Sequence, residues 1–73
     1  MGKLRPLSGR QIRRILEQHG FQQVRQRGSH VVLQRQTETG TITVPVPDHD
    51  SVAIGTLQSI IRQSGVPRAA FES

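Results

Sequence analysis

The apolar positions of this chain repeat with two periods, and the changes of period mark its elements. Ile12, Ile15 and Leu16, with His19 on the same stripe, recur at helical spacing between Ser8 and Gly20, which predicts a helix with one buried face. Ser8 and Gln11 stand three apart as a capping box, and Leu7 just before them can staple onto Ile12. Gly20 supplies the left-handed residue that ends such a helix. From Thr41 to Val46 the period falls to two, with Ile42, Val44 and Val46 alternating with Thr41, Thr43 and Pro45. That is a half-buried strand. Pro45 and Pro47 prevent it from donating to a ladder on both sides, so it belongs at a sheet edge. The helical period returns from about Ile54 to Ser64, with Leu57, Ile60 and Ile61 as the buried stripe and Gly65 as the stop. Val66-Pro67 then opens a short terminal turn from which Ala70 and Phe71 fold back onto the core.

Two short strand-like runs, Gln22–Arg27 and His30–Gln36, lie between these segments and are separated only by Gly28-Ser29. A two-residue loop with glycine first predicts a type II′ hairpin turn. It pairs Arg27 with His30, Gln26 with Val31, Arg25 with Val32 and Val24 with Leu33. In that register Val24 and Leu33 share the core face, and the opposite face collects Arg25, Arg27, His30, Val32 and Gln34. Thr37–Gly40 and Pro47–Ser51 read as loops. The sum is an α+β fold in α-β-β-β-α order: a three-stranded antiparallel meander, 1-2-3, with both helices on the Val24, Leu33, Ile42 and Val44 face. The other sheet face is left bare. Residues 1–73 are expected to form a single domain, close to the lower size limit for a self-supporting core.

Composition narrows the function classes. The chain has no cysteine, which removes disulfides and thiolate metal sites and favours a reducing cytoplasm. No apolar run approaches the ~18 residues of a membrane span, and no signal-peptide pattern opens the chain, so no membrane partner is expected. The net charge is +5 and unevenly spread. Residues 1–36 set Lys3, Arg5, Arg10, Arg13, Arg14, Arg25, Arg27 and Arg35 against Glu17 alone, whereas residues 37–73 are net acidic. Such a field attracts polyanions, RNA among them. Phe21 and Phe71 are the only aromatics and both sit in core-like contexts. The chain therefore lacks a platform for stacking bases, and its affinity for RNA should come mainly from phosphate contacts.

His30 is the candidate for chemistry. It starts a strand, immediately after the Gly28-Ser29 turn, with Arg25 and Arg27 on the same face. Cleavage of RNA through its own 2′-hydroxyl needs a base for that proton and an acid for the departing 5′-oxygen. It also needs cations for the charge that develops at phosphorus. An imidazole can serve as base or acid, and guanidinium groups grip phosphate. Gly28 and Ser29 support the turn, and Arg10, Arg13 and Arg14 on the first helix would extend an RNA footprint. His19 reads as a helix C-terminal residue and His49 as a loop residue. No standard metal-ligand spacing or cofactor loop is present. The rival from another class is a non-catalytic double-stranded RNA-binding module using the same basic surface.

Four segments, in order, resemble the HicA toxins, the ribonuclease components of HicAB-type bacterial toxin–antitoxin pairs. These are Ser8 to Gly20 ending in His-Gly-Phe, Arg27-Gly28-Ser29-His30, Val44-Pro45-Val46-Pro47, and Gly55-Thr56-Leu57-Gln58-Ser59-Ile60-Ile61-Arg62-Gln63-Ser64-Gly65. The likeness runs from about residue 7 to 72. It implies a fold like that of double-stranded-RNA-binding domains and mRNA cleavage without a metal or other cofactor. It further implies a catalytic role for His30 and a HicB-type antitoxin partner that covers the active face.

Overall fold

The computed structural model describes residues 2–72. Its elements are α1 (Gly9–Gln18), β1 (Gln22–Arg27), β2 (His30–Thr37), β3 (Gly40–Pro47) and α2 (Ile54–Ser64), followed by a 3-10 turn over Arg68–Phe71. The strands form one antiparallel sheet in the order β1-β2-β3, with both helices on one face. This is the α+β arrangement expected from the sequence.

The local signals act as their chemistry requires. Ser8 accepts from the Gln11 backbone N–H while the Gln11 side chain accepts from the Ser8 N–H, at 3.0 and 2.9 Å, so both halves of the capping box are made. Gly20 (φ 93°) directly follows the C-cap of α1 at His19, and Gly65 (φ 71°) caps α2. Ile12 and Leu16 of α1 and Leu57 and Ile60 of α2 are buried against Leu33 and Val44. Phe71 closes the edge of this core.

Three expectations need correction. Leu33 pairs with Gln23 rather than Val24, because a β-bulge between Gln23 and Arg25 leaves Val24 outside the ladder. Val24 is 46% exposed and contributes nothing to the core. A bulge inserts one extra residue, so every partner before it shifts by one while those after it keep their register. No β1 side chain is buried; the strand is held by its ladder, and the core lies under β2 and β3. Second, the Thr37–Gly40 loop shortens to Glu38-Thr39, since Thr37 and Gly40 pair with each other. Third, β3 runs through Pro47, which pairs with His30.

Candidate active site

The hairpin that carries His30 is defined by its glycine. Gly28 has φ 57° while no non-glycine residue among the described ones has positive φ, the signature of a type II′ loop with glycine first. Arg27 and His30 are therefore direct cross-strand partners. Side chains so placed stand about 4.5–5.5 Å apart at Cβ, with the diagonal neighbour, here Arg25, a few ångströms further. His30 is exposed.

Arg25, Arg27, His30, Val32, Thr43 and Pro45 line a shallow cavity of about 370 Å³ on the face of the sheet away from the helices. Its floor is apolar, from Val32 and Pro45, which pair across β2 and β3. Its rim is cationic. Among the described residues, the two ion pairs are Arg13–Asp48 and Arg68–Glu72, so neither Arg25 nor Arg27 is neutralised by a carboxylate. The arrangement can hold a phosphate between two guanidinium groups, with an imidazole alongside.

Arg10, Arg13 and Arg14 lie elsewhere. They project from α1, in the layer behind the sheet, and line none of this cavity. Arg10 borders a separate recess with Ser8, Asp48, His49 and Asp50, and Arg14 another with Leu7 and Gln11. Arg13 is committed to Asp48, Nη1 to Oδ1 at 3.0 Å. The remaining histidines have plain roles. His19 Nδ1–H donates to the Ile15 carbonyl at 2.9 Å, and His49 stands exposed in a loop.

A support behind the hairpin was not foreseen. The Asp48 backbone N–H donates to the Ser29 carbonyl at 2.6 Å, and the Gly9 N–H donates to the His49 carbonyl at 2.8 Å. Gly9 is buried at the first position of α1, where an added Cβ would collide with the Pro47 carbonyl oxygen. The loop after β3 is thus wedged between the helix start and the turn preceding His30, and Arg13 holds its Asp48 side chain. A glycine at the start of an otherwise well-formed helix was the one hint of so close an approach.

A family model described as HicA toxin of bacterial toxin-antitoxin matches residues 9–66, a span that holds both helices, all three strands and His30. No curated protein matches the chain.

Proposed function

We propose, from the premise that this chain belongs to the HicA toxin family of bacterial toxin–antitoxin systems, that it is a metal-independent endoribonuclease that cuts mRNA and so arrests translation. His30 is its acid/base group. The observation that carries this reading is the exposed imidazole on the bare sheet face, opening into one cavity with the unpaired Arg25 and Arg27.

In this mechanism the substrate's 2′-hydroxyl oxygen attacks the adjacent phosphorus and the bond to the 5′-oxygen breaks. A 2′,3′-cyclic phosphate and a 5′-hydroxyl result. His30 makes one of the two proton transfers, taking the 2′-hydroxyl proton or supplying the one that the 5′-oxygen needs, and solvent water makes the other. Arg25 and Arg27 stabilise the extra negative charge on the phosphoryl oxygens in the transition state. Gly28 and Ser29 fix the turn that delivers the ring.

Family membership implies an antitoxin partner. We assign it to the HicB type and place it over the bare face, where it would shut RNA out in the cytoplasm. No helix of the described residues is long and apolar enough to cross a membrane.

His30→Ala tests the assignment. Cleavage of an mRNA in vitro and growth arrest on expression without the antitoxin should both be lost, with a rate deficit of about 10²–10⁴-fold. RNA binding and the thermal midpoint should stay as in the wild type, because the side chain is exposed. A His30→Ala protein that still cuts removes His30 from the mechanism. A wild type that binds RNA and never cuts makes the chain a binding module.

A further inference from the structure

Beyond the cavity at His30 the sheet ends in a step between β1 and β2. Where β1 begins, β2 runs on beyond its last partner, since Gln22 pairs with Gln34 while Arg35 and Gln36 have no partner in β1. This step leaves a notch of about 400 Å³ lined by Gly20, Gln22, Val24, Gln34, Arg35 and Gln36. Three of these side chains are amides. Gln34 donates to Thr43 Oγ1 at 3.3 Å, and Thr43 lines the neighbouring cavity, so the two recesses share a wall. The Gln22 and Gln36 amides make no hydrogen bond among the described residues, and both are exposed. Arg35 alternates with these amides, pairs with Ile42 on the helix side of the sheet and lies against Gly20, so it borders the notch from that side; it too has no carboxylate partner among the described residues.

Amide groups and one free guanidinium suit a particular ligand. An amide offers a donor and an acceptor side by side, the pattern that pairs with the edge of a nucleobase. A guanidinium supplies the phosphate contact. Gln34 lies four positions after His30 along β2, a span of ~13 Å that an extended RNA strand covers in about two nucleotides. Base edges are free to meet such amides only when unpaired.

Taking the nuclease reading as given, we infer that this notch is a second nucleotide subsite. It takes one unpaired base of single-stranded RNA about two nucleotides from the bond cut at His30. Gln22, Gln34 and Gln36 read the base, and Arg35 holds the adjacent phosphate. The bulge at Val24 opens the notch by turning β1 out of its ladder.

The test uses the full chain with Gln22→Ala and Gln36→Ala combined, and separately with Arg35→Gln. All three residues are exposed, so folding should be kept, as a thermal melt would verify. Cleavage of a pool of unstructured RNAs, randomised around the cut, should show a base preference in the wild type about two positions from the cut. The double variant should flatten that preference. Arg35→Gln should raise KM several-fold on the pool, and neither variant should change the rate on a dinucleotide. An unchanged preference and an unchanged KM overturn the subsite. If the wild type cuts nothing, the nuclease reading fails by itself, and the subsite is judged by binding of eight-nucleotide homopolymer RNAs. Discrimination among them that the Gln variants abolish supports it; equal affinities, or equal binding of a duplex, overturn it.

Discussion

At the scale of the residue, two glycines separate what the sequence discloses from what it conceals. Gly28 was legible, because a two-residue loop between strands demands positive φ at its first position, and Gly28 has it at 57°. Gly9 was not, because its constraint comes from the Pro47 carbonyl, far along the chain. Alanine should therefore act differently at each. Nothing lies within 4 Å of a Cβ built at Gly28, so Gly28→Ala meets only torsional strain, about 1–3 kcal/mol, or ~4–8 °C of thermal midpoint per kcal/mol. In an ordinary helix Gly→Ala gains up to ~1 kcal/mol. Gly9→Ala should reverse that sign and cost about 1–3 kcal/mol, because backbone must move to admit the methyl group. Denaturant titration of the two variants checks both values; a stabilised Gly9→Ala protein would refute the wedge.

At the scale of the element, helices and strands were readable because their punctuation is local: Ser8 with Gln11, Gly20, Gly28, Gly65 and the proline pair at the end of β3 all act on near neighbours. β1 is the exception. Val24 is its sole apolar residue among glutamines and arginines, and one residue has no period. Alternation could not reveal a bulge there, and pairing Val24 with Leu33 was the natural inference. Long-range polar contacts were equally hidden, Arg13 and Asp48 being 35 residues apart. That pair is partly exposed, at 20% and 48%, so by itself it contributes at most about 1 kcal/mol. Its effect should instead appear in the hairpin it braces. Asp48→Ala should leave the thermal midpoint nearly unchanged, yet speed amide exchange at the turn before His30 and lower kcat several-fold at constant KM. Exchanging the partners, Arg13→Asp with Asp48→Arg, should recover most of that loss. Slow exchange in Asp48→Ala would show that the backbone bonds of the loop suffice.

At the scale of the whole molecule, the fold divides its arginines between two sides, a division that the one-dimensional charge tally could not express. The first half of the chain looked uniformly basic, yet Arg25 and Arg27 border the recess on the bare face and Arg35 reaches the notch at the sheet edge, while Arg10, Arg13 and Arg14 project from the helix layer, Arg13 already paired. An RNA strand lying along the sheet engages the first group alone. Each phosphate neutralised on a single strand contributes about −0.7 to the slope of log affinity against log salt, so three contacts give about −2. Affinity would then fall roughly 20-fold between 50 and 200 mM salt. If RNA wrapped the molecule and also reached Arg10 and Arg14, the slope would be near −3.5 and the fall roughly 100-fold. Fluorescence anisotropy with a short labelled RNA and the His30→Ala protein measures this directly, and we expect the shallower line. Arg25→Gln should flatten it by about 0.7, whereas Arg14→Gln should leave it unchanged. A slope that responds to Arg14 would move the RNA path around to the helices and detach the notch at Gln22 from the route of the strand.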